Sequence, residues 1–277
     1  MWLFSVSLVY PLYAQSIELA DILGSDVQNA GDQKKIESNQ AKINLYHELG
    51  LSWVRASGGS QQWWVDGQPT PENFDPVITY ATERGFKVYL HIEYRPDLEG
   101  GSVYDYDWFA VGRDFCRYFG NKVEVYDIIN EVDHDEATIS TEDFVAIYED
   151  FVAGVRSVDP NKLIAIQLAG TPMRYEKSAA FFEATKELFN SGKVQIMNLH
   201  TYNNYGRRED IYKGTEWAQF QNFVRWKEEI GITADVLCAS GEFQWRSDPT
   251  NQDVMALGVM PVLYSQLAVQ QSTNKHH

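Results

Sequence analysis

The stretch Val123–His134, VEVYDIINEVDH, decides how the rest of the chain reads. Its front half, through Ile129, is β-branched and aromatic, the composition of a buried strand. It finishes on Asn130-Glu131, an amide beside a carboxylate, and more acids follow. A strand that merely stopped would hand over to Gly, Pro or Ser. Either this is an ordinary strand end or it is the rim of an active site, and the neighbouring segments decide which.

Working outward, comparable apolar runs lie at Leu51–Ser57 (LSWVRAS), Lys87–Glu93 (KVYLHIE), Leu163–Leu168 (LIAIQL), Val194–His200 (VQIMNLH) and Asp235–Glu242 (DVLCASGE), with a weaker one at Ile17–Leu23. Near-continuous apolar character is the mark of parallel strands covered by helices. Between the runs, Asn39–Leu49 and Pro76–Arg84 read as helices stopped by Gly50 and Gly85. Thr141-Glu142-Asp143 opens a helix over Phe144–Val158 and Asp159-Pro160 closes it. Ser178–Asn190, Trp217–Glu229 and Gln252–Leu267 complete the helical set, and Cys116 falls on an outer helix.

Strand starts about 30–40 residues apart match the size of one strand-helix unit. Seven such units without a linker predict a single α/β domain over residues 15–277. No G-x-G-x-x-G follows any strand, so a TIM (β/α)8-type barrel, typically of about 250 residues, fits better than a doubly wound sheet. After the seventh strand and its helix the chain closes on QSTNKHH, which predicts a truncated barrel lacking its eighth strand.

Composition narrows the function. A net charge of −16 and a pI near 4.7 argue against nucleic acid or an anionic membrane as partner. They fit a neutral or cationic ligand. The two cysteines, Cys116 and Cys238, lack metal-ligand spacing and read as separate buried thiols. The opening MWLFSVSLVYPLYAQS has the length of a signal peptide cleaved after Ala14, although no Lys or Arg precedes its apolar run. The competing reading is an N-terminal strand. A signal peptide over residues 1–14 predicts a secreted or periplasmic protein. No run approaches the roughly 20 apolar residues of a membrane span.

In a barrel of this kind the chemistry sits at the C-terminal strand ends. Those ends carry Arg55 on strand two, His91 and Glu93 on strand three, Asn130-Glu131 on strand four, His200 and Tyr202 on strand six, and Glu242 on strand seven. Only strand five lacks an ionisable group. Two glutamates meeting across a barrel mouth could serve glycosidic cleavage, one as an acid for the leaving oxygen and one as a carboxylate acting at the anomeric carbon. A gap of about 5–5.5 Å gives direct attack and retention, and a wider gap admits water. Trp63, Trp64 and Trp245 lie just past strand ends, where an indole can stack on the C–H face of a sugar or pack beneath a loop.

These motifs resemble the retaining (β/α)8 glycoside hydrolases whose catalytic glutamates follow strands four and seven, a clan of cellulases, mannanases and xylanases. The resemblance is carried by WVRAS around Arg55, YLHIEY around His91, IINE at Ile128–Glu131, NLHTY at Asn198–Tyr202 and SGEFQW at Ser240–Trp245, and so covers strands two to seven. It implies that Glu131 is the general acid/base and Glu242 the nucleophile. It implies also that Asn130 binds the sugar 2-hydroxyl, Tyr202 donates to the nucleophile, and Arg55 keeps Glu242 ionised. His91 and His200 become polar walls for substrate hydroxyls or supports for the carboxylates. The clan usually places a Trp at the end of strand eight, which this sequence does not offer. The implied activity is hydrolysis of β-linked poly- or oligosaccharide by a monomer that uses no metal or cofactor. Two alternatives stand beside it: a carbohydrate-binding barrel without activity, and a metal-dependent barrel hydrolase, for which the histidine and acid ligands are poorly placed.

Overall fold

The computed structural model describes residues 24–94, 102–133, 139–168, 175–203 and 227–245, with backbone only at 175–176, 199, 201–203 and 238–245. Seven parallel strands follow one another in chain order: β1 (Gly24–Val27), β2 (Trp53–Gly58), β3 (Lys87–Ile92), β4 (Val125–Ile128), β5 (Leu163–Leu168), β6 (Ile196–Asn203) and β7 (Leu237–Trp245). Each pairs with the next, as in a (β/α) barrel. The expectations for residues 1–14, Ile17–Leu23, Gln252–Leu267 and an eighth strand lie outside the described residues. The first described strand starts at Gly24, immediately past the run chosen from sequence. GSDV pairs in register with WVRA of β2, although it has no apolar run of its own.

Among the described residues the helices of five residues or more are α1 (Ile36–Glu48), α2 (Asp75–Thr82), α3 (Trp108–Phe119), α4 (Thr141–Arg156), α5 (Tyr175–Ala184) and α6 (Lys186–Asn190). The predicted glycine stops hold: Gly50 and Gly85 take φ of 74° and 82°, where a Cβ would be strained. The cap of α4 is Ser140, whose Oγ accepts from Asp143 N at 3.1 Å. The single helix expected over Ser178–Asn190 is broken at Thr185. Its hydroxyl donates to the Phe181 and Phe182 carbonyls and so competes with the helix ladder. Cys116 lies buried and free on α3, and its burial pushes the thiol pKa up.

Strand side chains alternate between two faces. On one face Val54, Ala56, Val88, Leu90, Ile92, Tyr126, Ile128, Ile164, Ile166, Leu168 and Met197 join the helix residues Phe115, Phe144, Phe151 and Phe182 in one apolar core. Helices α3 and α4 make their closest approach through Gly112 and Gly154. A methyl at Gly112 would strike the Phe151 carbonyl oxygen, and one at Gly154 that of Phe109. On the other face Val125, Ala165 and Ile196, with Trp53, Tyr89 and Leu163 against them, form a small second cluster. Beyond that plug, towards the C-terminal strand ends, the inner face turns polar.

Candidate active site

The polar layer is built two residues apart along the strands. Register sets Asp26, Arg55 and Tyr89 side by side, Ser57, His91 and Asp127 one step above, and Gln167 beside Asn198. Arg55, His91, Asp127, Gln167, Asn198 and His200 are all buried. Most buried polar groups in folded proteins are hydrogen-bonded. Here Tyr89 donates to Asp127 Oδ2 at 2.5 Å and accepts from Asn198 Nδ2 at 2.8 Å. The β4–β5 ladder has only two registered pairs, at Val125 and Tyr126. Beyond them Tyr148 of α4 donates to Asp127 Oδ1 at 3.1 Å and to the Ile128 carbonyl at 2.7 Å. Burial, and then the Asp127 charge, push both tyrosine pKa values well above the usual range. His91 Nδ1 lies 3.4 Å from Asp127 Oδ2, close enough for an electrostatic contact but without hydrogen-bond geometry.

Arg55 is the third residue of β2, well short of its end, which corrects its expected place at the rim. Its Nη1 meets Asp26 Oδ1 at 3.3 Å and its Nη2 donates to Gln167 Oε1 at 3.1 Å. Gln167 Nε2 in turn donates to Asn130 Oδ1 at 2.9 Å.

Strand β4 ends at Ile128, three residues before Glu131. Ile129 then takes φ of 59° and Glu131 φ of 47°, with Asn130 between them. A β-branched residue in the left-handed region is rare, and such strain costs on the order of 1–3 kcal/mol. Full burial of Ile129 and the bond from Asn130 N to the Tyr94 carbonyl, 2.7 Å, hold the turn in place. The apolar run therefore finishes on Asn-Glu because the chain leaves the sheet there, in a turn enforced by its surroundings.

The turn brings Glu131 to His200. Glu131 Oε1 is 2.7 Å from His200 Nδ1, with the imidazole fully buried and the carboxylate side chain 16% exposed. His200 is in turn the registered backbone partner of Glu242 on β7, past an irregularity between Asn198 and His200. Tyr202 and Trp245 sit further along the same two strands, paired with Gln244 and Asn203. The side chains of Tyr202, Glu242 and Trp245, like that of Cys238, lie outside the described residues.

The loop tryptophans separate. Trp63 is fully buried, donates through Nε1 to the Glu93 carbonyl at 2.9 Å, and packs against Tyr106 and Trp108 with ring centroids at 4.8 and 5.5 Å. An indole with no exposed face has none to offer a sugar, so packing beneath the loop wins at this position. Trp64 is half-buried and meets Tyr106 edge-on at 5.5 Å. Sequence reading missed Asp26, Tyr89, Asp127, Tyr148, Gln167 and Asn198.

At the level of sequence, neither a family model nor a curated protein matches the chain. Solved structures do. A GH5-4 broad specificity endoglucanase from an uncultured bacterium aligns with a TM-score of 0.62 at 13% identity, over 94% of this chain and 88% of that one. A family 39 glycoside hydrolase from the gut symbiont Bacteroides cellulosilyticus WH2 gives 0.62 at 12%, covering 87% and 53%. A glucosidase from Croceicoccus marinus gives 0.55 at 13%, covering 76% and 49%. The chain thus spans about half the length of the last two. At such identities the likeness is one of fold, the α/β barrel of TIM type.

Proposed function

We propose that the chain is a retaining glycoside hydrolase acting on a β-linked poly- or oligosaccharide. One observation carries this reading: Glu131 is hydrogen-bonded to His200, and His200 is the registered strand partner of Glu242. Glu131 is thereby tied to a buried imidazole whose residue pairs, along the backbone, with Glu242. In the proposed reaction the Glu242 carboxylate attacks the anomeric carbon as Glu131 gives its proton to the departing oxygen. Glu131 then takes a proton from water, whose oxygen displaces Glu242 from the sugar. Asn130 hydrogen-bonds the 2-hydroxyl, a bond that strengthens in the transition state. In this reading His91 and Tyr202 bind substrate hydroxyls, and Trp64 and Trp245 offer aromatic surfaces to outer sugar rings. The solved structures named as endoglucanase and glucosidase support a carbohydrate substrate. The apolar start of the chain supports export, to the periplasm or beyond, and the protein is proposed to act as a monomer.

The test is Glu242→Ala assayed on aryl β-glycosides and on a panel of β-linked polysaccharides. Turnover should disappear, and azide or formate should restore part of it by acting as the external nucleophile. Absence of rescue in a folded variant contradicts the nucleophile assignment. Saccharide binding without turnover in the unaltered protein would make this a binding barrel.

A further inference from the structure

We infer that Gln167, held by Arg55, fixes which end of the Asn130 side-chain amide is presented to a bound sugar, and that it makes Asn130 a hydrogen-bond donor. A carboxamide has two ends of similar shape and opposite polarity, so its orientation follows from its neighbours. Here the neighbours leave one solution. A guanidinium only donates. Gln167 must therefore turn Oε1 towards Arg55 Nη2, 3.1 Å away, which leaves Nε2 to face Asn130. Nε2 only donates, so Asn130 must answer with Oδ1, at 2.9 Å. The polarity passes from the arginine through both amides. It leaves Nδ2 as the end of Asn130 still able to bond, and Nδ2 donates to nothing among the described residues.

The relay is anchored at both ends. Asp26 Oδ1 holds Arg55 Nη1 at 3.3 Å, and the backbone of Asn130 is fixed by its bond to the Tyr94 carbonyl. Arg55, Gln167 and Asn130 are 7%, 0% and 7% exposed, so water competes little for the amides. Strand β5, which brings no ionisable group, contributes through Gln167. The orientation rests on these contacts alone; only the partner of Nδ2, the sugar 2-hydroxyl, rests on the glycosidase reading.

Gln167→Glu inverts the logic without changing the shape. A carboxylate accepts from Arg55 on one side and can only accept from Asn130 on the other, so the Asn130 amide must turn and offer Nδ2 to position 167. The experiment uses full-length protein labelled with 15N-asparagine, with the Asn130 side-chain signal identified by its loss in Asn130→Asp. In Gln167→Glu the Asn130 amide protons should move downfield, as expected of donors to a carboxylate. In Gln167→Met, which orients nothing and adds no charge, they should move towards the positions of a freely turning amide. Unchanged Asn130 signals in the variants overturn the inference, and the Met variant decides it alone if the Glu variant fails to fold.

Kinetics separate this from the function proposed above. The preference for a 2-hydroxy over a 2-deoxy glycoside should fall by about tenfold or more in Gln167→Glu, the worth of one hydrogen bond. An amide that turns while the preference stays intact upholds the relay and contradicts the donor role of Asn130 at the 2-hydroxyl, since that hydroxyl can also donate to Oδ1. A variant that is merely less stable would lose both substrates equally.

Discussion

The two faces of the same strands are built on opposite plans. Along β3, Val88, Leu90 and Ile92 join the helices in the apolar core, while Tyr89 and His91 look the other way, into a hydrogen-bonded layer. Strands β4 and β5 repeat the pattern, with Tyr126 and Ile128 against Asp127, and Ile164 and Ile166 against Gln167. The helix side is non-directional and gains stability from area removed from water. The inner side gains little from burial and depends on each polar atom finding its partner. One face holds the barrel together and the other holds a few groups in fixed orientations.

The largest effect should come from the helix side. Phe151 of α4 is fully buried in the apolar core, and Phe151→Ala should cost about 3–5 kcal/mol while leaving turnover per folded molecule unchanged. Denaturant titration alongside an active-site titration reads both. A variant that loses turnover as steeply as stability breaks the division between the faces.

On the inner side the balance should invert. Tyr89→Phe removes one hydroxyl, leaves Asp127 short of a donor and costs about 1–3 kcal/mol. It should reduce turnover severalfold, because Asp127 lies against His91. It should also change the alkaline limb of stability. Tyr89 and Tyr148 have folded-state pKa values raised by burial and by Asp127, so their stabilisation is intact below about pH 10 and is lost as pH rises past it, where the unfolded chain ionises first. Urea midpoints measured through that range should fall less steeply in Tyr89→Phe than in the unaltered protein.

The smallest effect belongs to the surface, where neither plan operates. Asp114 is held below the usual carboxylate range first by its hydrogen bonds from Arg113, at 2.7 and 2.8 Å, which outweigh partial burial. A depressed folded pKa stabilises above the unfolded value and the contribution is lost as pH falls through the acid range. Asp114→Asn should therefore cost under about 1 kcal/mol at neutral pH and nothing at strongly acid pH, by midpoint comparison.

The same contrast explains what could be read from sequence. The apolar runs of β2 to β7 and the stops at Gly50 and Gly85 were legible because burial of the helix side selects large apolar residues and positive φ selects glycine. Strand β1 was not, since GSDV carries no apolar signal and is placed by pairing. Of the site, Asn130, Glu131, His91, His200 and Arg55 were visible as polar groups in apolar surroundings, though Arg55 sits mid-strand. Asp127 and Gln167 passed as strand residues. A period-two reading finds them: Arg55 and Ser57, Tyr89 and His91, Val125 and Asp127, Ala165 and Gln167, Asn198 and His200 alternate with apolar neighbours. The left-handed turn at Ile129 left no sequence signal, because isoleucine is the residue least expected there.

The proposed function requires two carboxylates on one face of the barrel, and a crystal structure with a bound substrate analogue tests this directly. The separation between the Glu131 and Glu242 carboxyl groups should be about 5–5.5 Å, with the anomeric carbon between them. Carboxyl groups farther apart than about 9.5 Å, or lying on opposite faces of the sheet, would contradict it.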